Sequence, residues 1–401
     1  MKKILVINCG SSTIKAGVFA SDSSLLALAQ ATIELAREEK GFTLRRCGEL
    51  FYRENIAINS IQEGIFYLKQ KLEELELLQK DDIVGVGHRV VHGGGFFDRA
   101  VLINKEVLEA IDKASLFAPL HNPANLEGIK LCQRLFPVPQ VAVFDTAFHH
   151  SMPNYVYTYG LPRQLIEKYR LRRYGFHGIS HAYVAEQAAL KLKKTLAQFS
   201  GITLHLGSGA SMCAIKEGKS VDTTMGLTPL EGLVMATRSG DIDPALVAFL
   251  QEKEGLSAQA VMEILNKKSG LLGLCGQKDM RLLLKEAEAQ NQEAILALDV
   301  FVYRIRKYLG AYFFILPQVD ALVFTGGIGE NAPLIRQKVL VGLERFGIFL
   351  NNELNKTALG KEALISEENS PIKVYVIPTD EEKRIALEVQ RLCGGFSPES
   401  A

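Results

Sequence analysis

The chain has 401 residues, 47% of them hydrophobic and 23% charged, with a net charge of +1. That length accommodates two or three domains, and the near-zero charge gives no electrostatic basis for binding nucleic acid or an anionic membrane surface. No apolar run is long enough to cross a bilayer, the apolar start of MKKILVINCG stops at Asn8, too early for a secretory leader, and six scattered cysteines without a CxxC pair read as reduced thiols of a cytoplasmic protein.

Residues 3–8 form a β-rich run ending in Cys9-Gly10-Ser11-Ser12, and a second run covers residues 14–19. The pattern predicts a hairpin whose turn N–H groups and hydroxyls can face a phosphate, with Asn8 and Lys15 on either side. Residues 25–80 are less informative, apart from one amphipathic helix marked by Ile58, Ile61, Ile65, Leu68 and Leu72. The stretch IVGVGHRVV, residues 83–91, is a buried strand opening into His92-Gly93-Gly94-Gly95. Near its end, Arg89 is either a structural ion pair or a bidentate grip on a carboxylate or phosphate. His121 stands before a helix opened by Asn122-Pro123, where it either caps or packs, or meets an anion at the positive helix end. Asp145 ends the apolar strand 141–144, where ligands collect in α/β sheets, with a helix cap as the alternative.

The character changes near residues 148–152, which marks a domain boundary. In YGFHGISH, residues 174–181, the two histidines are four apart, but no HExxH motif or third ligand supports zinc. Ser180 is expected to cap the following helix, leaving His177 in the loop ahead of it, where it could meet a phosphoryl group. Residues 202–214, ITLHLGSGASMCA, repeat the strand–glycine turn–strand unit of the N-terminus about half a chain later, with His205 opposite Asn8 and Ser211 opposite Ile14. A unit repeated at half-length implies two related halves, and two phosphate-type hairpins facing one another would suit a nucleotide cleft between domains.

Residues 221–244, VDTTMGLTPLEGLVMATRSGDIDP, are too rich in Thr, Gly, Asp and Pro to be one helix or strand. Arg238, their only cation, is either a surface residue or a functional one on an ordered loop, and Asp243-Pro244 opens an apolar helix through Ala245, Leu246 and Phe249. Lys278-Asp279-Met280-Arg281 is a charged turn before another helix. The apolar stripe from about 293 to 316 is either core or a dimer face. The strand 322–325 leads into Gly326-Gly327-Ile328-Gly329-Glu330-Asn331, a glycine-rich turn that is a phosphate or nucleoside loop candidate but not a Walker loop, since no GKS or GKT follows. A last strand, 374–378, precedes Thr379-Asp380-Glu381-Glu382, whose acids complement the dipole of the final helix. Residues 397–401 read as a frayed tail.

The motifs NCGSSTIK, HRVVHGG, PLHNPAN, FDTAFH, YGFHGISH, DTTMGLTPLEG with TRSGDIDP, TGGIGEN and PTDEE occur in the order found in acetate kinases, and the chain resembles that family over nearly its whole length, least between about 20 and 80. The resemblance implies a two-domain actin-like (sugar kinase/Hsp70/actin) phosphotransferase fold of class α/β with duplicated βββαβαβα-type halves. It places an N-terminal domain at 1–150, with the final helix, about 382–396, packing back on it, and a C-terminal domain at 151–381 carrying the nucleotide site and the interface of a homodimer. The implied reaction is reversible, Mg²⁺-dependent (or Mn²⁺-dependent) phosphoryl transfer from ATP to acetate.

Residue by residue, the resemblance gives Arg89 and Arg238 the carboxylate and the phosphoryl in flight, His177 the transferring group, with His121 nearby, and Asp145 the essential carboxylate. Asn8 and Glu381 would serve the metal. Lys15, the turn His205-Leu206-Gly207-Ser208-Gly209, Asp279-Met280-Arg281 and Gly327-Ile328-Gly329-Glu330-Asn331 would hold ATP. Val91, Leu120, Phe176 and Pro229 would line a methyl-sized pocket, with Val91 favouring acetate over propionate. The chain departs from the family at Ser208, where Asn is usual, and at Asp380, also usually Asn. The competing readings are a propionate or other short-chain acyl kinase, a sugar or polyol kinase, and a non-catalytic nucleotide-switched binding protein of the Hsp70 kind.

Overall fold

The computed structural model describes residues 1–35 and 41–394; the tail at 397–401 lies outside them. In chain order the strands are β1 (Lys3–Cys9), β2 (Thr13–Ala20), β3 (Ala27–Glu34), β4 (Gly41–Arg46), β5 (Glu49–Glu54), β6 (Ile83–Val90), β7 (Val101–Leu102), β8 (Gln140–Phe144), β9 (Gly201–Leu206), β10 (Ala210–Lys216), β11 (Lys219–Thr223), β12 (Ala321–Thr325), β13 (Ala363–Leu364) and β14 (Lys373–Val376). The chain divides into two compact units, one made of Met1–His150 and the described residues from Asp380 onward, the other of Ser151–Thr379.

The first unit holds an eight-stranded sheet in the order β5-β4-β3-β2-β1-β6-β8-β7. β1 runs antiparallel to β2 and parallel to β6, and β6 runs parallel to β8. Ile4, Leu5, Val6 and Ile7 are fully buried, the continuous apolar run expected of a strand covered on both faces. On one face the helix Ile61–Glu74 inserts Ile61, Ile65, Leu68 and Leu72, which join Leu5, Ile7 and Val86 in one core. On the other lies the helix Glu381–Cys393, with Ile385, Ala386 and Val389 inward. Its close seat explains two glycines of IVGVGHRV: a Cβ at Gly87 would stand 2.5 Å from Ile385 Cγ2, and one at Gly85 would stand 2.8 Å from Val389 Cγ1.

The second unit holds a six-stranded sheet in the order β11-β10-β9-β12-β14-β13. β9 is antiparallel to β10 and parallel to β12, which is parallel to β14. The core of each sheet is therefore the same: a three-strand meander whose first strand begins a parallel run of three. This is the duplicated α/β topology expected from the hairpin repeat.

The alignment of the two hairpins needs one adjustment. Asn8 faces Lys15 across the first hairpin, whereas His205 faces Ser211 across the second. The second turn is one residue shorter, so register after it shifts by one, and Ser211 corresponds to Lys15 rather than to Ile14.

Three local expectations also change. Ser180 does not cap a helix; it lies fully buried inside the helix Gly178–Lys191, whose N-cap is His177 in the left-handed region (φ 56°). Gly326–Asn331 is a short helix rather than an open turn. The helix Ala245–Glu254 buries none of its residues, and Leu246 and Phe249 are exposed. Its N-cap is Pro244 rather than Asp243, which stands one residue earlier and accepts from Ala245 N at 2.9 Å. Among the described residues no helix is long and apolar enough to cross a membrane.

Candidate active site

In the first unit the candidate side chains Arg89 and Asp145 lie at the C-terminal ends of β6 and β8. Parallel pairing aligns Arg89 with Val143, so Asp145, two residues on, comes level with the guanidinium. The two meet side by side: Arg89 Nε donates to Asp145 Oδ1 at 3.0 Å and Nη2 to Oδ2 at 2.6 Å, and Asp145 is almost fully buried. Glu381, the first residue of the final helix, brings Oε2 to 3.7 Å from Arg89 Nη1. Burial works against the charge on Arg89, but Asp145 and Glu381 outweigh it and hold the guanidinium protonated more firmly than usual. Of the two readings open at Arg89, the ion pair is present, and Nη1 remains turned to the acidic end of the final helix.

The asparagines of PLHNPAN have a structural job that sequence reading missed. Asn122 Oδ1 accepts from His92 N at 3.0 Å, Asn125 Oδ1 accepts from Val91 N at 3.1 Å, and Asn125 Nδ2 donates to Cys9 O at 2.7 Å. One helix turn thus ties the ends of β1 and β6 together. His121 is the N-cap of that helix, Val91 is half-buried, and Leu120 is 63% exposed. Asn8 and Lys15 face each other on β1 and β2. Next to Glu381, Glu382 instead turns into the sheet, where Gln30 Nε2 donates to it at 3.2 Å, and burial pushes its carboxyl up.

In the second unit the β9–β10 turn is the centre. A Cβ at Gly209 would stand 3.3 Å from His177 Nε2 and 3.7 Å from Arg238 Nη1; one at Gly207 would stand 3.8 Å from both His205 Nε2 and Gly327 N. Nitrogen atoms from four segments therefore surround one bare glycine turn, a cradle suited to an anion. The rings of His177 and His205 stack with centroids 4.3 Å apart. Gly326 adopts φ 76°, where a Cβ would press to 2.8 Å from Leu206 O, so glycine is required for the two glycine segments to approach. Glu330 Oε1 accepts from Gly326 N at 2.8 Å and from Thr379 N at 3.2 Å, closing this loop from inside, and Asn331 Nδ2 donates to Gly327 O.

Arg336 is a buried cation and Arg238 a half-buried one, and they differ in one respect that matters. Arg336 donates to Gly329 O, Glu330 O, Ala358 O, Asn355 O and Asn355 Oδ1 at 2.7–3.0 Å. It is saturated, burial lowers its pKa to about 10, and its positive charge sits on the C-terminal carbonyls of Gly326–Asn331. Sequence reading passed over it because a lone Arg inside a helix carries no signal. Arg238 donates to one carbonyl, Pro229 O at 3.0 Å, and touches Met235 Sδ. Among the described residues no carboxylate pairs with it, and burial lowers its pKa. A desolvated guanidinium with spare donors and no acid is costly unless a ligand supplies the anion.

Asp279 caps the helix Met280–Glu288 and pairs with the exposed Arg281 at 2.6 Å, while Met280 is buried. Phe176 is buried beside His177, and Pro229 is tied to Arg238 through its carbonyl.

The Acetokinase family's sequence model matches residues 3–387. The chain belongs to the acetokinase family. It is 47% identical to an acetate kinase of Campylobacter jejuni subsp. doylei over 98% of this chain and 99% of that one, and 48% identical to an acetate kinase of Carboxydothermus hydrogenoformans over 97% and 99%. Among solved structures, the Porphyromonas gingivalis acetate kinase superposes with a TM-score of 0.92 at 40% identity, covering 98% of this chain and all of that one. A propionate kinase from Francisella tularensis superposes at 0.91 with 43% identity and the same coverage.

A divalent metal is expected of an acetokinase, and the donor set bears on which kind. Among the described residues no group of three or more His, Cys, Asp or Glu could hold a metal ion. Asn8 and Glu381 offer one amide oxygen and one carboxylate. That set fits Mg²⁺, which keeps several waters and binds through one or two carboxylates plus substrate phosphates, and Mn²⁺, which takes the same oxygen donors.

Proposed function

We propose that the protein catalyses reversible phosphoryl transfer from ATP to acetate, giving acetyl phosphate and ADP. It is an enzyme, an ATP:acetate phosphotransferase. The observation that carries the reading is Arg238: a half-buried guanidinium with no acid of its own among the described residues, at the same bare glycine turn as His177. Such a group is built for an anion that arrives and leaves.

The chemistry needs this arrangement more than it needs a base. Acetate, with an ordinary pKa of roughly 4–5, is already ionised at neutral pH. Its oxygen attacks the γ-phosphorus while the bond from phosphorus to the ADP oxygen breaks, and no proton has to move. The obstacle is repulsion: two unit charges about 4 Å apart cost roughly 4 kcal/mol at an effective dielectric of about 20. Arg89 and Arg238 offset it, as positioning and charge stabilisation do in phosphoryl transfer generally. The bidentate pair supports a role for Asp145 in aiming Arg89 rather than in abstracting a proton. Asn8 and Glu381 would hold Mg²⁺, which neutralises phosphate charge when bound. Lys15, the turn Gly207–Gly209, Asp279, Arg281 and Gly327–Asn331 would hold ATP, and Val91, Leu120, Phe176 and Pro229 would enclose the methyl group. The two compact units would be the two domains of the actin-like pair.

Acetate, ATP and hydroxylamine should yield acetohydroxamate; no product under conditions where the protein is folded overturns the reading. The likeness to a propionate kinase at 43% identity keeps one alternative in play, with Val91 opposing it. kcat/KM should favour acetate over propionate by about tenfold or more, the worth of one methylene in an apolar pocket, and a preference for propionate would replace acetate as the substrate. The exposed Leu296, Tyr303 and Phe314 of the helix Gln292–Ile315 support the homodimer, and six free cysteines are consistent with a reducing, cytoplasmic setting.

A further inference from the structure

His177 is wired into the interior through a chain of hydroxyls and a second histidine. Its Nδ1 lies 2.9 Å from Ser211 Oγ. The same oxygen lies 2.8 Å from His181 Nε2, and His181 Nδ1 lies 2.7 Å from Thr203 Oγ1. Ser211, His181 and Thr203 are completely buried. A parallel arrangement serves His205, whose Nδ1 is 2.8 Å from Ser180 Oγ, itself 2.7 Å from Thr379 Oγ1. In both rings Nδ1 faces inward and Nε2 faces the glycine turn.

The proton inventory of such a chain is restrictive. A serine hydroxyl has one hydrogen, and a neutral imidazole has one N–H. Ser211 stands between two ring nitrogens; accepting from both would leave its own buried hydroxyl hydrogen without an acceptor among the described residues, so it donates to one and accepts from the other. Two concerted patterns satisfy every link. In the first, Thr203 donates to His181 Nδ1, His181 Nε2–H donates to Ser211, and Ser211 donates to His177 Nδ1, leaving the hydrogen of His177 on Nε2, toward the turn. In the second every bond is reversed, and His177 presents a lone pair there. An anion at the turn accepts only from the first.

His205 in stacking contact, Arg238 across Gly209 and His181 through Ser211 face His177, and a second positive charge beside Arg238 is disfavoured. We propose that Ser211, with His181 and Thr203 behind it, is a positioning residue that fixes neutral His177 as the Nε2–H tautomer, so that His177 acts as a hydrogen-bond donor, not a cation, toward the phosphoryl group. The proposal rests on the phosphotransferase reading for the identity of the anion.

The test is nitrogen NMR of histidine-labelled enzyme with acetyl phosphate bound and no nucleotide, His177 being assigned from the signals lost in His177→Asn. The wild type should carry its proton on Nε2. Thr203→Val, which touches neither His177 nor the turn, and Ser211→Ala should each convert this to a mixture of tautomers. Both should lower kcat about tenfold, less than the roughly 100-fold or more of a donor lost outright because part of the population keeps the right tautomer, with KM for acetate within twofold. An Nδ1–H or doubly protonated His177 in the wild type overturns the proposal, as does an unchanged tautomer in the variants. The wild-type spectrum decides even if a variant fails to fold. Hydroxamate formation with the wrong tautomer would defeat this inference alone, whereas absence of hydroxamate would defeat the phosphotransferase reading and leave the spectrum to speak for the tautomer.

Discussion

At the scale of single residues, charge and burial decide most of what the site can do. Asp145 holds both nitrogens of one edge of Arg89; replacing it with Asn removes a buried counter-charge and lets the guanidinium swing. Asp145→Asn should lower kcat about 100-fold or more, as loss of a preorganised charge contact does, while the far-ultraviolet circular dichroism spectrum is unchanged. Arg89 and Asp145 are each visible in the sequence as polar residues ending apolar strands. That they grip one another is not, because the pairing depends on the β6–β8 register. Ser211 was invisible altogether: a serine on an apolar strand gives no hint of which histidines flank it. His88 is a different case, structural rather than catalytic. It is buried, with Nε2 2.7 Å from Gln140 Oε1, and burial lowers its pKa from 6.5 to about 4. A base whose folded pKa is depressed binds its proton more readily when unfolded, so stability is full above pH 6.5 and falls as pH drops toward 4. The loss over that window is at most about 3 kcal/mol. Urea unfolding at a series of pH values should show it, and His88→Gln should flatten that part of the curve.

At the scale of elements, the two hairpin turns and the loop 224–241 are the segments proposed to carry the function, and glycine sets what they can do. The repeat of strand, glycine turn and strand was readable because its period and its turn residues are both local signals. The loop was readable as irregular, but its course was not, because long-range bonds fix it. Arg173 Nη1 donates to Thr223 O, Thr224 O and Met225 O, Asp241 Oδ1 accepts from Gly232 N at 2.8 Å, and Tyr308 donates to Asp241 Oδ2 at 2.6 Å. Two glycine substitutions separate function from folding here. Gly209→Ala places a methyl 3.2 Å from the His177 ring without meeting backbone. It should leave the melting temperature within a few degrees and reduce kcat/KM about 100-fold or more by occupying the anion's cradle. Gly232→Ala, at φ 104° with its Cβ 2.5 Å from Thr224 O, should instead destabilise the fold by about 1–3 kcal/mol, seen as a lowered urea midpoint. The reverse pattern would mean that the turn is structural and the loop tolerant.

At the scale of the whole molecule, duplication and assembly are the two claims. The meander-plus-parallel core recurs in both sheets, as expected from two short hairpin motifs. The helix Gln292–Ile315 is core along one stripe, where Phe301, Ile305 and Leu309 are buried, while Tyr303 is 69% and Phe314 91% exposed on the face proposed for the dimer. Sedimentation should find two 44.2 kDa chains together, and Phe314→Glu should shift that equilibrium toward single chains; a monomer at all concentrations would remove the dimer. The proposed function assigns Arg89 and Arg238 to a single transfer. The most direct test is a double-mutant cycle on the hydroxamate rate, using Arg89→Ala, Arg238→Ala and both together. Groups acting on one transition state are strongly non-additive, so each single change should cost about 100-fold or more and the double little beyond the worse of the two. Losses that multiply in full, or a single variant within threefold of wild type, would contradict it.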